Sequence, residues 1–379
     1  MNPNALLIQN QLTTWLLRRT PTNGVRRVAP LSAAIASDLG NVRENNQDRV
    51  TIVRGRDQQG REYALVAVAD GIGGMQDGET CAAMAISAFI TTIDQRAQNA
   101  CDNLDHTDEW LREGVHAANQ AVFSKFRASG GSTLVALLVR HGSPPYWLSV
   151  GDSRVYCMDN RVLTQTSIDD TIAGQLGKRP EDASEQLCLL QFVGMGAELE
   201  PHIAKFNTNS AGAVILTTDG VHYLAPSPDW LGQIVRHSPD PGVCVKRLID
   251  LAKWCGGPDN ATVAMITLPV DMQSETLPSY PCLEVWDAYG ELQIISPAPT
   301  KAPSSLTTNS GAIRATPSTH LDPVIDEHPC LPVMEKSKTR RVKSPRKSKK
   351  PASKQITAPD MLTGPELPQL HMEFPTKPN

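Results

Sequence analysis

Short apolar segments separated by polar, turn-forming residues run through most of the first 270 positions of the chain. Their length and their content of β-branched and small residues are typical of buried strands. Seven segments are predicted to be strands: 49–53, 65–69, 132–139, 146–150, 155–158, 213–218 and 261–268. Apolar residues at helical spacing predict three helices, at 78–97, 108–126 and about 241–254, and Thr107 or Asp108 is the candidate cap of the second. Because helices are inserted between sets of strands, the pattern favours an α+β layered core over a βαβ repeat.

The same pattern divides the chain into four parts. They are 1–30, an N-terminal helix and connector; 31–269, the main domain; 270–297, a small β extension; and 298–379, a tail predicted to be disordered. Residues 5–18 are predicted to form an amphipathic helix that packs on the body or on a partner, and 20–30 form the connector. We interpret 159–212 as a surface insertion. The β extension is predicted to contain a hairpin within 285–295.

Charge is distributed unevenly along the chain. Residues 336–354 contain ten Lys or Arg and no Asp or Glu, whereas the remaining 26 basic and 40 acidic residues give the rest a net charge of −14. Such a basic run binds nucleic acid or another anionic surface, docks on the acidic body or on a kinase–substrate complex, or stays solvated. The sequence leaves these alternatives open.

Cysteine spacing favours a reducing compartment, and hydropathy argues against a membrane-spanning segment. The eight cysteines show no CxxC or metal-finger spacing. The longest apolar runs are too short to span a bilayer, and Arg18 and Arg19 follow the N-terminal apolar residues instead of preceding them. We therefore expect a soluble cytoplasmic protein with no transmembrane segment.

Aspartates stand at the ends of four predicted strands. Asp70 and Asp219 each follow an apolar strand and precede a glycine, Asp152 follows a third strand, and Asp259 precedes a fourth. Carboxylate oxygens are the ligands that hard divalent cations prefer, so these four residues predict one pooled cation site. The polar loop 37–49, dense in ligand-type side chains, is either a solvated turn or part of that site.

Six motifs, in this order, resemble those of the metal-dependent protein phosphatases of type 2C in their bacterial form. They are Ser37-Asp38-x-Gly40-x-x-Arg43-x-x-Asn46-Gln47-Asp48, Ala69-Asp70-Gly71-Ile72-Gly73-Gly74, Gly131-Ser132-Thr133, Val150-Gly151-Asp152-Ser153-Arg154, Thr218-Asp219-Gly220 and Asp259-Asn260-Ala261-Thr262-Val263. The resemblance covers about 37–268. It implies a four-layer α/β/β/α sandwich of two antiparallel sheets flanked by helices, with a dinuclear Mn²⁺ or Mg²⁺ centre in the cleft at one end.

The resemblance also implies a role for individual residues at the metal centre. Asp70 would bridge the two ions, and the carbonyl of Gly71 would bind one of them. Asp219 and Asp259 would hold one ion, while Asp48 would support the site directly or through water. These roles match the preference of such ions for oxygen ligands.

Two further residues have implied roles at the same centre. Asp152 resembles the ligand of a third, weaker ion, and Arg43 would bind the substrate phosphate through its two parallel donors. Phosphoserine or phosphothreonine would then be hydrolysed by a water activated by the two metals, without a covalent intermediate. The implied partners are phosphorylated proteins, in particular a Ser/Thr kinase or its substrates.

Three positions and one segment depart from the family pattern. Gln47 stands where a Glu is usual and supplies no charge, which predicts lower metal affinity. Ile72 stands where eukaryotic members carry a His for leaving-group protonation, and Tyr223 replaces an acid. No Asp-His-Ser is recognisable in 164–171. These departures keep a second hypothesis open, in which the chain is a catalytically weak, phosphatase-like scaffold that binds signalling partners through its tail and terminal helix.

Overall fold

The computed structural model describes residues 3–99, 106–176, 188–206, 211–223, 228–270 and 282–295. The helices are α1 (Pro3–Leu16), α2 (Gly78–Asn99), α3 (Thr107–Phe126), α4 (Ile172–Gln175), α5 (Asp219–His222), α6 (Pro228–Arg236) and α7 (Pro241–Trp254). The strands are β1 (Asn23–Val28), β2 (Ala33–Asp38), β3 (Arg49–Arg56), β4 (Glu62–Ala69), β5 (Leu134–Arg140), β6 (Tyr146–Val150), β7 (Arg154–Asp159), β8 (Val162–Gln165), β9 (His202–Lys205), β10 (Ala211–Thr217), β11 (Ala261–Thr267), β12 (Cys282–Trp286) and β13 (Glu291–Ile295). The predicted tail, with the basic run 336–354, lies outside the described residues.

The strands form two antiparallel sheets. Six strands make the first sheet in the order β1-β2-β11-β10-β7-β8, and seven make the second in the order β13-β12-β3-β4-β5-β6-β9. Each sheet places strands that are distant in sequence side by side, as β2 beside β11 and β3 beside β12. The predicted hairpin is therefore a two-stranded addition to the edge of the second sheet.

Alternation of side chains along the strands separates three layers of apolar packing. In β4, Leu65 and Ala67 pack against the helices α1, α2 and α3, whereas Val66 packs between the sheets. In β2, Ile35 lies between the sheets, and Ala36 packs with the helices α5, α6 and α7. The arrangement is helices, sheet, sheet, helices, which confirms the predicted α+β sandwich.

The N-terminal helix packs on the body of the protein. Leu12 and Leu16 of α1 are buried in the same apolar cluster as α2 and the hairpin strands. Leu6 and Leu7, on its other side, are exposed. None of the helices in the described ranges is both long enough and apolar enough to cross a bilayer.

The predicted connector 20–30 is partly wrong, because residues Asn23–Val28 form β1. This strand pairs with β2 in a continuous register from Asn23–Asp38 to Val28–Ala33. It contains two arginines and a glycine, and its side chains are mostly exposed or half-buried, as is common for an edge strand. The local sequence lacks an apolar run because only one face of such a strand is covered.

The predicted cap of α3 is also wrong. The helix begins at Thr107, His106 occupies the N-cap position, and no side chain caps the helix. The Thr107 hydroxyl instead accepts a hydrogen bond from Arg140 Nη1 at 3.0 Å and lies 3.0 Å from Ser143 Oγ. The Thr107 hydroxyl therefore binds the buried Arg140 side chain and does not cap the helix.

A buried acid on α2 leads to a prediction about stability and pH. Asp94 accepts a hydrogen bond from the Tyr63 hydroxyl at 3.2 Å, and burial raises the pKa of Asp94 to about 6. The unfolded chain releases this proton near pH 4. Between about pH 4 and 6 the folded state therefore holds a proton that the unfolded state has lost, so the free energy of unfolding decreases as pH rises.

We expect Asp94→Asn, which keeps an acceptor for Tyr63, to raise the free energy of unfolding by about 1–3 kcal/mol at pH 8, since each pKa unit corresponds to about 1.4 kcal/mol. At pH 4 the two proteins should be equally stable. Urea unfolding of both proteins between pH 4 and 8 measures this difference. A difference that does not change with pH would contradict the prediction.

Candidate active site

One end of the sandwich gathers all the predicted site residues. Asp70 directly follows β4, and Asp48 directly precedes β3, the strand that pairs with β4. Asp219 follows β10 and Asp259 precedes β11, which pair in the first sheet. Asp152 lies in the turn between β6 and β7, and β7 pairs with β10. Antiparallel pairing thus brings these five residues from distant parts of the chain to the same end of both sheets.

Burial and mutual repulsion raise the pKa values of four of these aspartates. Burial, reinforced by the charges of Asp219 and Asp259, raises the pKa of Asp48 to about 7. Burial and the charges of its four aspartate neighbours raise the pKa of Asp70 well above its ordinary range. For the same reasons the pKa of Asp152 rises to about 7 and that of Asp219 to about 6. The acids are close enough for each charge to disfavour the others.

The donor set fits a hard divalent cation. Oδ1 of Asp48 and Oδ1 of Asp219 are buried without a hydrogen-bond partner. A buried carboxylate oxygen without a donor is destabilising, and a bound cation removes that penalty. In the described part of the chain, however, no three His, Cys, Asp or Glu side chains lie close enough together to enclose an ion.

Arg43 lies at the exposed edge of this site and is paired with one of its acids. Its Nη2 donates to Asp259 Oδ2 at 2.7 Å, and the two side chains are 42% and 31% exposed. A Cβ at Gly73 would lie 3.2 Å from Arg43 Nη1, so the glycine leaves room for the guanidinium.

Close backbone contacts surround the Gly71 carbonyl. A Cβ on Gly71 would lie 2.2 Å from the Gly78 carbonyl oxygen. A Cβ on Gly78 would in turn lie 2.9 Å from the Gly71 oxygen and 2.6 Å from Gln47 Nε2. The side-chain amide of Gln47 therefore approaches the Gly71 carbonyl at the start of α2, and both glycines are needed for this approach.

Besides Gln47, two other departures from the family pattern are in contact with site residues or their neighbours. The Tyr223 hydroxyl donates to Asp152 Oδ2 at 3.4 Å, and the Arg154 guanidinium lies 5.2 Å from the centre of the Tyr223 ring. The Ile72 amide donates to the Gly131 carbonyl at 3.1 Å. Tyr223 thus occupies the neighbourhood of Asp152 with a neutral hydroxyl in place of an acid.

Several residues that support the aspartates were given no role by the sequence. The Thr218 hydroxyl donates to Asp48 Oδ2 at 2.9 Å, and the Thr133 hydroxyl accepts from the Asp70 amide at 2.9 Å. The Asn260 side chain accepts from the Gln47 amide at 2.8 Å and donates to the carbonyls of Leu39 and Asn45, which holds the loop 39–47. Thr218, Thr133 and Asn260 all belong to the six quoted motifs. Their hydrogen-bonding side chains next to the predicted acids are the signal that could have identified them.

Asp169 and Asp170 also support the site, in a segment with no recognisable family motif. Asp169 accepts hydrogen bonds from the Arg154 guanidinium at 2.6–3.0 Å. Asp170 accepts from the Gly151 amide at 2.9 Å and lies 2.9 Å from His202 Nε2. These bonds anchor both sides of the turn that carries Asp152.

Comparison with known proteins finds similar phosphatases. A family model described as protein phosphatase 2C matches residues 41–247, more than half of the chain. The serine/threonine phosphatase stp of Listeria monocytogenes serovar 1/2a is 25% identical over 248 residues, which cover 62% of this chain and 95% of stp. The serine/threonine protein phosphatase PstP of Mycobacterium tuberculosis is 32% identical over 245 residues, which cover 62% of this chain and 44% of PstP.

A solved structure shows the same fold. The PPM Ser-Thr phosphatase MsPP of Mycobacterium smegmatis, crystallised in complex with cacodylate, is 28% identical, with a TM-score of 0.50 and coverage of 62% of this chain and 97% of MsPP. The fold and these relatives define a protein serine/threonine phosphatase. The chain belongs to the protein phosphatase 2C family, in its bacterial form. The matched region contains Arg43 and four of the five aspartates and ends before Asp259.

Proposed function

We propose that the chain hydrolyses phosphoserine and phosphothreonine in proteins with the help of two divalent cations, Mn²⁺ or Mg²⁺. Asp70, Asp219 and Asp259 would hold the ions, with Asp48 and the Gly71 carbonyl in support. Asp152 would hold a third, weaker ion. The observation that carries this proposal is the gathering of mutually repelling, buried aspartates, two of which have an unpaired carboxylate oxygen.

When bound, such a pair of cations supplies a water of lowered pKa and neutralises charge that develops on the phosphate. The protein's own contribution is to bring the acids together and to exclude solvent from them. The raised pKa values support this view, because four acids pressed together without a cation destabilise the fold. A protein that only binds partners has no use for that destabilisation.

Substrate binding is assigned to Arg43. A guanidinium offers two parallel donors that match two phosphate oxygens, which fixes orientation as well as charge. Its present bond to Asp259 is half-exposed, so exchanging this carboxylate for a phosphate dianion requires little loss of buried contact. Arg43 would thus move between an acid of the site and the substrate.

Partners and location follow from the same proposal. Phosphorylated proteins, and a Ser/Thr kinase or its substrates, are the expected partners. The six cysteines in the described residues are all free, which supports a reducing compartment such as the cytoplasm. The tail beyond residue 297 remains a candidate for binding a protein or an anionic partner. Residues 31–269 remain our proposal for the phosphatase domain.

Metal removal tests the proposed function. We expect the chain to hydrolyse p-nitrophenyl phosphate and a phosphothreonine peptide with Mn²⁺ present, to lose at least about 99% of turnover in excess EDTA, and to regain it when Mn²⁺ is added back. Turnover is measured as released phosphate, and Mn²⁺ binding is measured separately by isothermal titration calorimetry. Undiminished turnover in EDTA would overturn the metal assignment. Mn²⁺ binding with no turnover on either substrate would favour the scaffold hypothesis instead.

A further inference from the structure

The N-terminal helix and the C-terminal hairpin meet behind the loop that carries Asp48. Both elements lie outside the residues that the family model matches. Arg18, just after α1, pairs with Asp287 in the hairpin turn at 2.8 Å, and the Asp287 side chain is 7% exposed. Asp287 Oδ1 also accepts from the amides of Tyr289 and Gly290, which fixes the turn. We call the Arg18–Asp287 pair, with the end of α1 and the turn 287–290, the terminal clasp.

Arg49 connects the terminal clasp to the loop. Its Nε donates to the carbonyl of Leu16, the last residue of α1, at 2.8 Å. Its Nη1 donates to the carbonyls of Asn46 and Asp48 at 2.8 and 2.7 Å. One guanidinium therefore joins the end of α1 to the backbone on both sides of Gln47. A lysine, with a single ammonium group, cannot reproduce this forked contact.

The hairpin turn approaches the same loop from the other side. The Tyr289 hydroxyl is buried beside the side chains of Ser37 and Asn46. Asn46 Oδ1 accepts from the Asp48 amide at 3.0 Å. Asp48 and the clasp line a common cavity of about 20 Å³, large enough for about one water molecule. Little space thus separates the clasp from the acid.

These contacts hold the backbone at Asp48. Its Oδ2 accepts from Thr218, whereas its Oδ1 is buried and unpaired, so the backbone position of Asp48 controls what that oxygen can reach. We propose that Arg49 is a positioning residue for Asp48 and that the terminal clasp holds Arg49 in place, so that both raise the affinity of the site for a divalent cation. This inference rests on the proposed function, in which Asp48 supports the metal centre.

The test measures Mn²⁺ binding by isothermal titration calorimetry in the full chain. We expect Arg49→Lys to weaken Mn²⁺ affinity about tenfold and Arg18→Ala to weaken it about threefold, since residues that orient a ligand typically change metal affinity by about 10–100-fold and Arg18 acts one step further away. Arg18→Lys, which keeps the charge opposite Asp287, should restore most of the affinity. For Arg18→Ala, kcat at saturating Mn²⁺ should stay within about twofold of the wild-type value.

Arg27→Ala is the matched control, because Arg27 also forms an ion pair with an aspartate, Asp240, at 3.1 Å but lies on β1 away from Asp48. Melting temperatures in EDTA show whether each variant is folded. Unchanged Mn²⁺ affinity in Arg18→Ala and Arg49→Lys would overturn the inference while leaving the proposed function intact. An equal loss in Arg27→Ala would also overturn it, because the effect would then be general destabilisation. A wild-type chain that binds no Mn²⁺ would reject the proposed function and this inference together.

Discussion

Asp70→Asn is expected to lower kcat toward a phosphothreonine peptide by about a thousandfold at saturating Mn²⁺, which corresponds to about 4 kcal/mol of transition-state stabilisation. Asp70 is the acid whose charge is opposed by the other four aspartates, Asp48, Asp152, Asp219 and Asp259, so it lies centrally among them. The amide keeps the shape of the side chain but removes the charge that would hold two cations. Initial rates of phosphate release at several Mn²⁺ concentrations measure the effect.

The same substitution should act in the opposite direction on stability. Burial and its neighbours raise the pKa of Asp70 well above its ordinary range, so its ionised form destabilises the metal-free fold. At pH 8 in EDTA, we expect Asp70→Asn to unfold at a higher urea concentration than the wild-type chain. In Mn²⁺ this advantage should shrink or reverse, because the wild-type chain gains the free energy of metal binding.

Asp94→Asn is the matched control for Asp70→Asn. Both change a buried aspartate with a raised pKa to an amide, but Asp94 lies on α2 against Tyr63, in the layer between the helices and the second sheet. Asp94→Asn should raise the free energy of unfolding and leave kcat unchanged. Wild-type turnover in Asp70→Asn would reject the metal assignment, and an equal loss of turnover in Asp94→Asn would show that the assay reports general effects on the fold.

Local signals in the sequence predict the α+β layered core and the strands that end in aspartate, whereas the four-layer sandwich is what the resemblance to type 2C phosphatases implies. An apolar strand followed by Asp-Gly is visible at Asp70 and at Asp219 without knowledge of any partner. Every residue of β4 is buried, and Leu65 and Val66 face different layers because successive side chains of a strand point to opposite faces. Such signals do not reveal β1, since an edge strand with arginines reads as a connector until its pairing with β2 is known.

Hydrogen bonds and ion pairs between residues far apart in the chain could not be predicted from the sequence. Arg18 and Asp287 are 269 positions apart, and nothing near either residue indicates the other. Arg43 and Asp259 are 216 positions apart, and likewise nothing in the sequence indicates that they form a hydrogen bond. The predicted acids were identified from residue type and position in the strands, but their hydrogen-bond partners Thr218 and Thr133 depend on which strands become neighbours.

A glycine beside the acids shows how closely the two sides of the site are packed. Gly220 follows Asp219 in α5, and a Cβ at this position would lie 1.9 Å from the Asn260 carbonyl oxygen. That oxygen belongs to the backbone, so the chain itself must shift. Asn260 holds the loop 39–47 through its side chain and directly follows Asp259. A methyl group at Gly220 would therefore push Asp219 away from Asp259 and disturb the loop that carries Arg43.

Gly220→Ala is accordingly expected to lower the free energy of unfolding by about 3 kcal/mol, at the upper end of the usual effect of overpacking, and to reduce kcat by about a hundredfold. Gly232→Ala in α6 is the matched control, because its Cβ would meet Leu163 at an ordinary 3.5 Å and alanine favours the helix by about 1 kcal/mol. Urea unfolding and phosphate release should therefore show a large loss in the first variant and none in the second. If Gly220→Ala kept both stability and turnover, Asp219 and Asp259 could move apart without consequence, which a shared metal centre does not allow.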